Sequence, residues 1–124
     1  MSLILIVEDN EPNLALVQDI LQAKGHRTLE ARTGEEGVRL AVEAKPDLVL
    51  MDIRLPGMNG IEALAALRAN AATKRIPVIA VTASVMPLDR SLVTAAGFDG
   101  YLAKPISIQT LMAAVGKALG DATA

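Results

Sequence analysis

Leu3–Val7, Leu48–Met51 and Val78–Val81 are short, unbroken aliphatic runs, and no other feature of the chain limits its fold as tightly. Each is just long enough for one strand. Hydrophobicity that is continuous, with no alternation, means burial on both faces, which is the situation of a central strand in a parallel sheet. Arg27–Ala31 and Asp99–Ala103 are weaker runs and read as peripheral strands.

Between these runs the period changes to that of a helix. Leu14, Val17 and Leu21 are spaced three and four residues apart, Pro12 sits where a first turn tolerates it, and Gly25 marks the stop. Thr33 to Lys45 reads as a second helix, with Val38, Ala41 and Val42 on its buried face and Pro46 closing it. Gly60 to Asn70 is a short, Ala-rich third, and Pro87 to Ala96 a fourth, ending at Gly97. Ile108, Leu111, Met112, Val115 and Leu119 form the clearest amphipathic stripe and predict the last helix. Strand then helix, five times over with short connections, predicts a doubly wound α/β domain, a parallel sheet with helices on both faces.

Hydrophobic residues make up 52% of the chain but aromatic residues only 2%, so the core must be aliphatic. With 124 residues the chain is sized for one domain, residues 1–124, that buries about two-thirds of its unfolded surface without a disulfide or metal staple. The formal charge of −2 argues against broad binding to nucleic acid or to an anionic membrane. Cysteine is absent, which excludes thiolate metal sites and cysteine nucleophiles and suits the cytoplasm. No apolar run approaches the roughly 20 residues of a membrane span, and no signal peptide is evident at the start.

Ligands of an open α/β sheet bind beyond the carboxyl ends of its strands. Here the first strand runs into Glu8-Asp9-Asn10, the third into Asp52, the fourth into Thr82-Ala83-Ser84 and the fifth into Lys104-Pro105. Singly these residues have ordinary readings: Asp9 or Asn10 as a helix cap, Thr82 as a structural strand end, Lys104 as a solvated tip. Together they put three carboxylates, a hydroxyl and an ammonium around one shallow pocket. Crowded carboxylates repel one another unless a cation compensates them, and oxygen ligands without His or Cys suit Mg²⁺. A carboxylate at a metal, with a hydroxyl and an ammonium beside it, is equipped to accept a phosphoryl group.

The segments Leu3–Asn10, Leu50–Gly60, Val81-Thr82-Ala83 and Tyr101–Pro105 resemble the response-regulator receiver domain of two-component signalling, and the likeness runs from Leu3 to the last helix. Among receivers the chain is most similar to stand-alone regulators of the DivK type and to those attached to hybrid histidine kinases. The resemblance implies a (βα)₅ flavodoxin-like fold with strand order 2-1-3-4-5. It implies that Asp52 is the phosphoacceptor, that Asp9 coordinates Mg²⁺ directly with Glu8 beside it, and that the main-chain carbonyl of Arg54 completes the protein ligands. Thr82 and the Ala83 N–H would then bind phosphoryl oxygens, Lys104 would pair with them, Pro105 would follow a cis peptide bond, and Tyr101 would be the switch aromatic. Arg54 and Ser84 either tune the lifetime of the phosphorylated state or are plain loop residues. The implied partners are a histidine kinase or histidine phosphotransfer protein, docking near Pro12–Leu16 and the Pro105 loop, and a downstream protein that meets the face over Pro87–Leu119. No residues remain for a DNA-binding or enzymatic output, so no direct contact with nucleic acid or membrane is expected, unless the chain is one domain of a longer protein.

Two other classes are weaker. A phosphatase with an aspartyl-phosphate intermediate would usually place a second Asp two residues after its nucleophile, and that position is Arg54. A flavodoxin-like electron carrier needs a Ser-, Thr- or Gly-rich phosphate cradle after the first strand, which Glu8-Asp9-Asn10 is not.

Overall fold

The structure, a computed structural model, describes residues 2–55, 57–82 and 95–120. Pro56, Ala83, Ser84 and all but the last two residues of the helix expected over Pro87–Ala96 lie outside that set. In chain order the described elements are β1 (Leu3–Val7), α1 (Glu11–Ala23), β2 (Arg27–Ala31), α2 (Gly34–Ala44), β3 (Leu48–Asp52), α3 (Gly60–Ala69), β4 (Val78–Thr82), β5 (Gly100–Ala103) and α4 (Ile108–Ala118). All neighbouring strands are parallel, in the order β2-β1-β3-β4-β5. This is the doubly wound α/β, flavodoxin-like arrangement expected from the sequence.

Alternation along the strands feeds two aliphatic cores. Ile4, Ile6, Leu48, Leu50, Ile79 and Val81 face α1 and α4, meeting Leu14, Val17, Leu21, Leu111 and Val115. Leu5, Val7, Val49, Met51 and Val78 face the other way, with Ala63, Leu64 and Leu67 of α3. The three central strands are buried on both sides, while the edge strand β2 keeps exposed residues.

The helix starts follow from their caps. The side chains of Asn10, Thr33, Asn59 and Ser107 each accept the N–H three residues on, and Asn59 with Glu62 completes a reciprocal capping box. Thr33 and Lys45, expected as the ends of the second helix, are therefore its caps, as Asn70 is for α3. On α2 the deeply buried positions are Gly34, Gly37 and Ala41, with Val38 and Val42 only half-buried. The reason is clearance, because a Cβ on Gly37 would come within 2.7 Å of a Val7 methyl group. Ile108 also departs from expectation, being 58% exposed. It is the first residue of α4, just past the Ser107 cap and beyond the cover of the sheet.

Candidate functional site

β3 and β4 each run one residue beyond their aliphatic stretch, and those residues are Asp52 and Thr82. Register then assembles the site. Val7 lies opposite Met51, so Glu8 leaves β1 beside Asp52, while Thr82 lies opposite Ala103, so Lys104 leaves β5 beside Thr82. The Lys104 N–H donates to the Thr82 carbonyl at 2.8 Å, and the Lys104–Pro105 peptide bond is cis, as expected.

Glu8 and Asp52 are each only 4% exposed, a costly place for two carboxylates unless every oxygen finds a donor. They are answered in the same way. Lys104 Nζ lies 2.9 Å from Glu8 Oε1 and 3.0 Å from Asp52 Oδ2. The remaining oxygens take main-chain N–H groups two residues further on: Arg54 N donates to Asp52 Oδ1 at 3.0 Å, and Asn10 N to Glu8 Oε2 at 3.2 Å. One ammonium thus serves two acids, each steadied by its own following turn.

The charge is not balanced. Asp9, exposed at the rim, brings a third carboxylate, and one oxygen from each of Glu8, Asp9 and Asp52 lies within 4.8 Å of the other two. Burial pushes the Glu8 carboxyl up to about 7, hydrogen bonding and repulsion from Asp52 add to this, and the Lys104 and Asn10 donors oppose it. For Lys104 burial disfavours the ammonium, but Glu8 and then Asp52 outweigh it and leave its pKa raised. Three clustered carboxylate oxygens, with no nitrogen or sulfur ligand, fit a hard divalent cation.

The chain behind Asp52 is tightly held. Gly60 N donates to the Ile53 carbonyl at 2.9 Å, and a Cβ on Gly60 would lie 2.5 Å from the Asp52 carbonyl oxygen. Gly34 of α2 presses from the other side, where a Cβ would lie 2.6 Å from the Met58 carbonyl. Tyr101 stands two residues before Ala103, the register partner of Thr82, so it shares a sheet face with Thr82 and is half-buried. Arg54 is exposed. His26 is remote from the site, between α1 and β2.

The sequence matches the family model of the response regulator receiver domain over residues 4–116. The chain belongs to this family. It is 42% identical over 119 residues to the polar-differentiation response regulator DivK of Brucella anthropi, covering 96% of this chain and 97% of that one, and DivK of Brucella ovis matches equally. The receiver domain of a sensor histidine kinase from Pseudomonas aeruginosa superposes with a TM-score of 0.90 at 35% identity, covering 97% of this chain and 98% of that one. That neighbour holds a magnesium ion in its active-site cleft. The chemotaxis protein CheY4 of Vibrio cholerae follows with a TM-score of 0.89 at 28% identity, covering 95% and 98%. This receiver is thus a DivK-like domain of two-component signalling, in a family whose function is to accept a phosphoryl group. Among its described residues no helix is long and apolar enough to cross a membrane.

Two features of the site were not found by reading the sequence: the main-chain donors at Asn10 and Arg54, and the squeeze by Gly34 and Gly60. The donors carry no residue signature. The glycines were visible, but Gly60 only as a turn residue at the start of the third helix and Gly34 only as a position within the second.

Proposed function

We propose that residues 1–124 act as a single receiver in which Asp52 takes a phosphoryl group from a phosphohistidine of a histidine kinase or histidine phosphotransfer protein. The observation that carries this is the shared ammonium: Lys104 holds Asp52 and Glu8 in one buried, carboxylate-rich pocket at the carboxyl ends of β1, β3 and β5. Asp52 attacks phosphorus with a carboxylate oxygen, and the bond from phosphorus to the donor nitrogen breaks. Arg54 N orients the acceptor through Oδ1. Lys104, raised in pKa and therefore charged, is placed to pair with the incoming phosphoryl oxygens.

Glu8, Asp9 and Asp52, with the main-chain carbonyl of Arg54, are the residues that would hold Mg²⁺. When bound it neutralises charge on the transferring phosphoryl group. Thr82, with the Ala83 N–H, is assigned to the phosphoryl oxygens. Tyr101, on the same sheet face, is assigned to the switch together with Thr82 and Pro105. Catalysis is confined to the domain's own phosphorylation and dephosphorylation. The output is a protein target that meets the surface expected over Pro87–Leu119, of which β5 and α4 are described. The cytoplasm is the proposed location, with no direct contact to nucleic acid or membrane.

Intact-mass spectrometry after incubation with a small-molecule phosphodonor, with and without Mg²⁺, tests this reading. One added phosphoryl group that requires Mg²⁺ and is lost in Asp52→Asn is the expected result. No addition, and no beryllofluoride complex with the folded protein, would overturn it.

A further inference from the structure

Ion pairing in this receiver is unevenly distributed. Among the described residues Arg32, Arg39, Arg68 and Lys104 each reach a carboxylate; Arg54, just past Asp52, reaches none, and neither do Lys24, Arg27, Lys45, Lys74, Arg75 and Lys117. All six of the latter are exposed and stand at the end of the sheet where the strands begin, opposite Asp52. Described acids at that end are already engaged, Glu43 pairing with Arg39 at 3.3 Å. Asp47 accepts the Leu3 N–H at 2.8 Å, and Asp99 accepts the Val78 N–H at 2.8 Å while pairing with Arg68 at 2.7 Å.

Part of this basic end has a local explanation. Lys24 and Lys45 cap α1 and α2, where a cation answers the partial negative charge of a helix end, and Arg27 opens the edge strand β2. Lys74 and Arg75 are different. They are consecutive in the loop between α3 and β4 and line a polar cleft with Arg68, Pro77 and Asp99. Lys117, near the end of α4, borders an adjoining recess that shares Pro77, Asp99 and Ala118 with that cleft. Arg68 fixes the loop by donating to the carbonyls of Lys74 at 3.1 Å and Ile76 at 2.7 Å, and its pairing with Asp99 removes the one acid in the cleft from play. Lys74 and Arg75 on this braced loop, and Lys117 across the adjoining recess, are therefore exposed cations with no ion-pair partner.

We propose that this cleft docks an acidic segment of a partner protein through Lys74, Arg75 and Lys117. Charge complementarity selects the partner. The large apolar side chains that are exposed among the described residues, Leu16, Ile61 and Ile108, lie away from the cleft, so it offers no anchor for a bilayer. Among the described residues the cleft itself is lined by no aromatic side chain on which a base could stack, and the adjoining recess by Tyr101 alone, too few for a stacking platform. What remains is a compact basic surface matched to two or three carboxylates on one short segment.

The test is fluorescence anisotropy of the intact protein with a labelled short peptide of Asp and Glu, at about 50 mM and about 300 mM salt. Binding is expected at the lower salt and should weaken at the higher. The triple variant K74Q/R75Q/K117Q should weaken it by about tenfold or more, and K24Q/R27Q/K45Q, with the same change in net charge, by less than about twofold. Absence of binding, or equal weakening by both triples, overturns the proposal. Anionic vesicles or duplex DNA that bind more tightly than the peptide through the same three residues would also overturn it.

Discussion

Asp52 and Lys104 are 52 residues apart in the chain, and their side chains meet at 3.0 Å. The pair is specified by register alone: β4 carries Thr82 up beside Ala103, and the next residue after Ala103 is Lys104. Because the same ammonium also holds Glu8, removing it leaves two buried acids facing each other. Lys104→Met is therefore expected to lower stability near pH 8 by about 2–3 kcal/mol in urea unfolding without divalent ions, and Mg²⁺ should restore much of it. A variant as stable as the parent under those conditions would show that the acids are not held by Lys104.

Glu8 gives a pH dependence with a definite sign. Its carboxyl binds a proton more tightly in the folded state, with a pKa of about 7 against a reference of 4.5, so its contribution to stability is complete below about pH 4.5 and is lost as the pH rises through about 7. Glu8→Gln removes this dependence. Without Mg²⁺ the variant is expected to be more stable than the parent above pH 7, on the order of 1–2 kcal/mol, with the gap closing toward pH 4. With saturating Mg²⁺ the order should reverse, since the parent alone keeps the full carboxylate set. Chemical denaturation at several pH values, with and without Mg²⁺, reads all three expectations.

Asp52→Asn separates chemistry from folding. Asparagine keeps a carbonyl oxygen for the Arg54 N–H and relieves the crowding of acids. The variant should melt within about 3 °C of the parent or slightly above it, bind Mg²⁺ more weakly, and show no added phosphoryl mass.

Two glycines on one helix should behave differently. A Cβ on Gly34 meets the backbone of the loop after Asp52, whereas a Cβ on Gly37 meets the side chain of Val7. Both alanine variants are expected to lose stability, by about 1–3 kcal/mol. Gly34→Ala should also weaken Mg²⁺ binding several-fold in a titration, because it shifts the loop that bears Arg54. Equal Mg²⁺ affinity in the two variants would remove any coupling between α2 and the site.

The central strands were readable because they are buried on both faces, which leaves an uninterrupted aliphatic mark in the sequence. The site was readable for a related reason: polar residues ending such runs have no packing reason to be there, so Asp52 and Thr82 stand out. Pairing of helix faces was harder. On α2 the periodic valines drew attention, yet the closest approach is made by Gly34, Gly37 and Ala41, whose small size is itself the adaptation. Ile108 misled because periodicity reports a face and not how far the sheet extends beneath it. The bonds from Asn10 N and Arg54 N were invisible, since a main-chain donor is the same in every residue but proline.

The aliphatic character of both cores has an optical consequence. With no tryptophan and a single tyrosine in the chain, near-ultraviolet absorption and intrinsic fluorescence come almost entirely from Tyr101. That ring is half-buried on the sheet face it shares with Thr82, so the protein carries an unlabelled reporter beside its own site, and a change in emission or near-ultraviolet dichroism there can be assigned to one residue without mutagenesis.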